Sequence, residues 1–425
     1  MESYTKMMED KIFELGYDDK FTVKKVLDFL NKPESFRSFG DGLKYIMSKK
    51  YPQFEEKIKQ NPKAFIKECC HKNGVYEGDI CDSDNTLVNW FKIRTEKSGV
   101  KEGGPKGGET NRKKLFALSF ALDLNVEETI YLFHNVYFDR AFNLKNTDEM
   151  IYYYCKNNGK SWIDAKRLIE KANKIIFEQT NQNSNTLLTK YIKEELNRTK
   201  SEEQLLEYIS EHVRDLRKKN SAAKRALQIQ KESALETARK EVELYKYKGE
   251  KKQKNSMAFL YTTILEQPNT KLYKSKKDSQ KNIFVRGSKT VFGKNVRIRD
   301  SIKSNFPEAS KLSKEDLNYE EIRKLIILLY SYHTWYNNKD IDIEEYVEEL
   351  DDILYDSGLP PLYYGNPYDW LFLYCILATL TLDAEEEYGS LSIIDTDAEH
   401  DPLNNFRVII SEVLDEDDIN EFSKQ

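Results

Sequence analysis

Cysteines, histidines, clustered carboxylates and a basic glycine-containing loop are the groups in this 425-residue chain with chemistry to offer. Their spacing argues against most catalytic uses. Cys69-Cys70-His71 followed by Cys81 supplies metal-capable groups, but adjacent cysteines with one distant third lack the paired spacing of structural zinc sites. Glu385-Glu386-Glu387 would diverge by ~100° each on a helix and so do not converge on one cation. Gly103 to Gly108 precedes a helix without a leading strand and without a Lys-Ser/Thr pair after its last glycine, unlike a nucleotide-binding loop. No Gly-x-Ser-x-Gly elbow, His-Glu-x-x-His or Cys-x-x-Cys occurs. His134, and His333 beside Trp335, lie in otherwise apolar helical stretches and read as core imidazoles. What remains is a binding chemistry. From Lys92 to Lys114 there are 8 Lys/Arg against 3 Asp/Glu, a balance suited to phosphate at the start of a helix. The chain therefore reads as a binding protein without cofactor or metal and not as an enzyme, with a nuclease built on a dispersed acidic site as the remaining alternative.

The elements that would position these groups are helices. Phe39, Leu43, Ile46 and Met47 form one stripe, and Phe65, Ile66, Cys69 and Cys70 another that Gly74 stops. A short capped helix follows at Thr86 to Phe91, then the loop with four glycines and a proline, then a helix whose apolar positions are Leu115, Leu118, Phe120, Ala121 and Leu122. Helices are further expected at Glu127 to Val136 and from Trp162 to Ala172. A charged stretch without Gly or Pro, from Leu187 to Lys248, reads as one long helix or a helical hairpin. Residues 282 to 293 carry β-branched and aromatic side chains around a glycine turn, compatible with a small β-hairpin or a basic loop. Apolar and acidic amphipathic helices resume at Glu321 to Tyr336 and Asp342 to Tyr355.

One pattern occurs twice. Asn146-Thr147-Asp148-Glu149 to Tyr154-Cys155 aligns with Asn366-Pro367-Tyr368-Asp369 to Tyr374-Cys375, and upstream Arg112-Lys113-Lys114-Leu115 aligns with Arg323-Lys324-Leu325. Each copy reads as a helix start, with Asn at the cap and a carboxylate three residues on that can reach back to the cap's own N–H. The expected fold is all-α: a helical domain over 1–180 with the first copy, a basic helical connector over 181–310 with room for a hairpin, and an acidic helical domain over 311–425 with the second copy.

No apolar run approaches the ~18 residues of a membrane span, the first residues lack the order of a signal peptide, and five cysteines suit reduced thiols, so a cytoplasmic protein is expected. Its net charge of −5 hides a segregation. Arg214 to Lys303 holds 25 Lys/Arg against 9 Asp/Glu, whereas Glu315 to Gln425 holds 5 against 28. Opposed fields of that size fit a polyanion site, docking of the tail on the middle, or assembly with a partner.

The order from Asn61 to Leu124, a helix, a turn, a short capped helix carrying Asn89-Trp90, a basic loop and a helix opening Asn111-Arg112-Lys113-Lys114, resembles lambda-repressor-like helix-turn-helix regulators. That resemblance implies that the second helix enters the major groove, with Asp84, Asn85, Thr86 and Asn89 near base edges and Trp90 as a core anchor. It also implies backbone contacts from Lys92, Arg94, Lys106, Arg112, Lys113 and Lys114. The acidic cluster Asp79, Asp82 and Asp84 stands beside this segment and would repel phosphate. The run from Leu359 to Trp370 and the order from Leu115 to Cys155 are similar to uncharacterised helix-turn-helix proteins of low-GC Gram-positive mobile elements and prophages. The resemblances imply a transcription regulator or accessory protein of a mobile element, binding double-stranded DNA. The charge segregation keeps open an antiviral, phage-defence sensor or adaptor whose acidic C-terminal region meets a protein partner, and a homodimer.

Overall fold

A computed structural model describes residues 3–16, 35–91, 109–178, 189–216, 221–244, 319–378 and 401–413, with a few isolated positions between them. Among the described residues 79% are helical and none lies in a strand, so the all-α expectation holds. The predicted hairpin at 282–293 falls outside them. In chain order the helices are α1 (Ser3–Gly16), α2 (Phe39–Lys50), α3 (Glu55–Gln60), α4 (Pro62–Lys72), α5 (Glu77–Ile80), α6 (Asp84–Trp90), α7 (Glu109–Ala121), α8 (Val126–Tyr131), α9 (Thr147–Asn157), α10 (Trp162–Glu178), α11 (Thr189–Arg198), α12 (Glu202–Leu216), α13 (Ser221–Leu244), α14 (Tyr319–Asn337), α15 (Ile343–Asp356), α16 (Pro367–Leu377) and α17 (Pro402–Val413). No helix among the described residues is long and apolar enough to cross a membrane. Contacts divide the chain at 36 and 221, where the sequence reading divides it at 180 and 310: one unit comprises 37–221 with 358–360, the other the remainder.

In the unit over 37–221 the helix starts follow from local chemistry. Ser38 caps α2 by accepting the Asp41 N–H, Asn61 caps α4 ahead of Pro62, and Asn125 with Glu128 forms a full capping box on α8. Leu43, Ile46 and Met47 then face the core from α2, as their spacing predicts. Gly42 lets α2 approach the segment after α8, since a Cβ there would stand 2.8 Å from Val136. That segment, Leu132–Val136, is a π-turn, not the continuous α-helix expected to Val136; the Tyr137 N–H reaches the Leu132 carbonyl. α9 and α10 pack together, with the Trp162 ring stacked on Tyr152 at 5.3 Å. Burial of each such aromatic contributes roughly 1.5–3 kcal/mol. Among the described residues the charged stretch, expected as one helix or a helical hairpin, is broken between α11 and α12. α11 ends where the Thr199 hydroxyl donates to the Glu195 carbonyl, and Ser201 starts α12 by accepting the Gln204 N–H.

In the other unit α14 is buried on nearly every face, so it is the central helix, packed against α15 and α17. α15 buries Ile343, Tyr346, Leu350 and Leu354 and turns Glu344, Glu345, Glu348 and Asp352 to solvent. α16 packs on α1 and α17, its Trp370 ring 5.1 Å from and nearly parallel to Tyr374. A buried ion pair ties α17 to α13. Arg407 donates to Glu241 at 2.8 Å and to the Thr263 carbonyl, and Tyr332 gives the same carboxylate a third bond at 2.6 Å.

The two matched stretches share a set of hydrogen bonds at corresponding positions. Asn146 and Asn366 cap their helices by accepting the N–H of Asp148 and of Tyr368. The carboxylate three residues after each cap does not return to the cap N–H as expected. Glu149 and Asp369 instead accept a pair of bonds from Arg112 and from Arg323, at 2.7–2.9 Å. Each also accepts the backbone N–H three residues before its cap, from Asn143 and from Tyr363. The same guanidinium holds the carbonyl five residues before the cap, Ala141 in one case and Pro361 in the other. A paired arginine and carboxylate thus clamp the turn that enters α9 and the turn that enters α16.

Candidate nucleic-acid interface

α6 is built to show one polar side. Leu87 and Trp90 are buried on its inner face, and Trp90 meets the Phe39 ring edge-on at 5.6 Å. Its carboxyl end is seated on α2 at Gly40, where a Cβ would come within 2.6 Å of the Trp90 carbonyl. The outer face therefore consists of Asn85, Val88 and Asn89, all exposed, at the i, i+3, i+4 spacing that brings side chains together. Trp90 is the core anchor that the resemblance implies.

The other expected site residues separate into three groups. Lys92, Arg94 and Lys106 lie outside the described residues, as does the side chain of Asp84. Thr86 is half-buried, its hydroxyl 3.3 Å from that of Ser83, so it serves the start of α6. Lys113 is exposed one turn into α7. Arg112 and Lys114 are not where a backbone contact needs them. Arg112 is only 9% exposed and, besides Glu149 and Ala141, donates to Asp139 at 2.6 Å and to the Arg140 carbonyl at 2.8 Å. All five of its N–H groups are used. Burial works to lower its pKa, and the Asp139 and Glu149 carboxylates outweigh that and raise it, so the guanidinium stays charged inside the unit. Its expected contact with DNA is corrected to a structural one. Lys114 reaches Asp82 at 2.5 Å with its own side chain 13% exposed, which takes it from the phosphate set as well.

That pairing changes the electrostatics of the acidic cluster. Asp82 is neutralised by Lys114, and Asp79 accepts the Trp162 Nε1–H at 2.9 Å and pairs with Lys166 at 3.1 Å. Two of the three carboxylates expected to repel phosphate thus already have cations. Between α4 and α6 the chain makes the extra turn α5, whose Ile80 is buried and which packs on α7. Val88 is the site residue that the sequence reading omitted. Helical spacing from Asn85 and Asn89 signals it, but an apolar residue between polar ones reads by default as core.

All five cysteines are buried, and burial pushes Cys69 up to about 11 and Cys70 to about 12. Among the described residues no group of three or more His, Cys, Asp or Glu could hold a metal. No protein family, curated protein or solved structure matches the chain.

Proposed function

We propose that the chain is a DNA-binding regulator or accessory protein of a mobile element, contacting duplex DNA through the outer face of α6, Lys113 and the basic loop before α7. One observation carries this reading: Asn85, Val88 and Asn89 stand together on the solvent side of a helix whose other side is fixed by Leu87 and Trp90. The Asn85 and Asn89 amides can each donate and accept, which suits base edges. Pairing of Asp79 and Asp82 supports the reading, because it lessens the repulsion a phosphate backbone would meet. The action is binding, and a target on a bacterial mobile element would be met in the cytoplasm. Fluorescence anisotropy of a labelled duplex against salt tests it. Affinity should fall steeply with salt, in proportion to the phosphates neutralised. A flat salt response, or no association with duplex, refutes it.

A second reading has its own observation. α15 turns Glu344, Glu345, Glu348, Asp352 and Asp356 outward together with Tyr355, which is 75% exposed. An aromatic among carboxylates suits a basic protein partner, as in a sensor or adaptor. Replacing Tyr355 by Ala should then abolish capture of a partner while leaving DNA association untouched.

A further inference from the structure

The duplicated frame holds a lysine in one copy where the other holds an aliphatic. Lys156 follows Cys155 in α9, and the matched residue after Cys375 in α16 is Ile376, which is 2% exposed. Lys156 is half-buried in the last turn of α9. Its Nζ donates to the Leu124 carbonyl at 2.7 Å and stands 4.1 Å from the centre of the Phe120 ring. Among the described residues no carboxylate comes within ion-pair distance of it. The titratable groups around it are Asp123 on the turn after α7, Lys50 on α2, Glu128 on α8 and the Cys155 thiol beside it, and Glu128 is already paired with Lys50 at 2.9 Å. Burial lowers the Lys156 amine from 10.5 to about 7, with Asp123 and Glu128 pulling it up and Lys50 pushing it down. Near neutrality a large share of it is the free, nucleophilic amine, whereas an ordinary lysine is neutral only about once in 2,500.

The surroundings also select among the products such an amine can form. They use one N–H donor, toward Leu124, and hold no carboxylate against the charge. A methylated amine stays cationic, and a neutral imine keeps no N–H. An amide is uncharged and keeps one N–H for the Leu124 carbonyl, while its new oxygen can face the solvent that reaches this half-buried side chain. We infer that Lys156 is a covalent acylation site, taking a small acyl group from an acyl phosphate. The amine's lone pair adds to the acyl carbon, the bond from that carbon to the phosphate oxygen breaks with its electrons passing to the phosphate, and the nitrogen gives one proton to water. Nothing is oxidised or reduced. The site stands independently of DNA binding.

Acetyl phosphate is the probe, applied to the native full chain from about pH 6 to about pH 9, with the rate at each lysine read by peptide mass spectrometry. At about pH 7 Lys156 should react about tenfold or more faster than the exposed Lys113 and Lys193. That margin is smaller than the ratio of free amine, because a weaker base attacks more slowly and the side chain is half-buried. The rate at Lys156 should level off above about pH 8, while the rates at the exposed lysines keep climbing. In urea Lys156 should lose its advantage. Chain acetylated at Lys156 by brief exposure should keep its circular dichroism and its urea midpoint. Reaction at Lys156 no faster than at Lys113, or climbing with pH as it does there, overturns the inference. So does an advantage that persists in urea, which would place its cause in the local sequence. A lowered urea midpoint after acetylation overturns it too, since the amide would then not fit beside Phe120 and Leu124.

Discussion

Arg112 and Lys113 are sequence neighbours with opposite expected roles, and replacing each by alanine separates them. Arg112→Ala removes five N–H donors from a site where Glu149 lies buried and Asp139 half-buried beside the carbonyls of Arg140 and Ala141. Breaking a buried ion pair by deleting one partner costs about 3–5 kcal/mol, because the remaining charges stay desolvated. Glu149 is left charged in the interior and Asp139 at its edge, so the loss falls within that range. Native domains are stable by about 5–15 kcal/mol, so the loss takes a large share of the total. At about 2–4 °C per kcal/mol for a unit of this size, the melting temperature should fall by about 10 °C or more. Urea unfolding by circular dichroism reads the stability. Amide exchange of the Asn143 N–H, which Glu149 accepts at 2.7 Å, reads the clamp itself and should quicken. Lys113→Ala should leave both unchanged and shallow the salt slope of DNA binding by about one unit. The reasoning is refuted if Arg112→Ala keeps its stability and loses the salt slope instead, since the guanidinium would then face phosphate.

Three further outcomes follow from the same geometry. Asp369→Asn should destabilise more than Glu149→Gln, because Arg112 retains Asp139 at 2.6 Å while Arg323 loses the carboxylate that holds it with two bonds; equal urea midpoint shifts would contradict this. Burial pushes the Asp351 carboxyl up to about 6 from 3.8, against the pull of the Leu362 N–H and Arg323. The folded state then holds the proton more tightly than the unfolded one, so stability falls as pH rises from about 4 to about 6. Asp351→Asn still accepts the Leu362 N–H and should flatten that profile, gaining about 2 kcal/mol at pH 7.5 and little at pH 4, whereas an unaltered profile would refute the assignment. Because all five cysteines are buried, a thiol reagent at pH 8 should label none of them in the native chain and all five in urea, and prompt native labelling would contradict that packing.

The fold was legible where its determinants are local. The Leu43, Ile46 and Met47 positions of α2 and the Asn caps at Asn146 and Asn366 are read within one helical turn, and each stands as expected. What escaped was non-local. Arg112 reads as one of a basic trio with Lys113 and Lys114 because its partner Glu149 is 37 residues away. The aligned Arg112 and Arg323, each upstream of a capped carboxylate, already held the clue, since an arginine and an acid that recur together are candidates for a pair. The π-turn at Leu132–Val136 is set by its packing against α2, with no local residue to announce it. The breaks around Thr199 and Ser201 escaped because hydroxyl back-bonding ends a helix without glycine or proline. At the interface the sequence pointed to Asn85 and Asn89 but hid Val88, whose exposure depends on how Leu87 and Trp90 divide the helix.

Hydrogen exchange across the whole chain, with and without a saturating duplex at low salt, measures the central claim most directly. DNA should slow exchange in the segments holding Asn85 to Asn89 and Thr110 to Lys113 and leave α15 as it was. Unchanged exchange over α6, with protection gathered on another helix, would contradict the account.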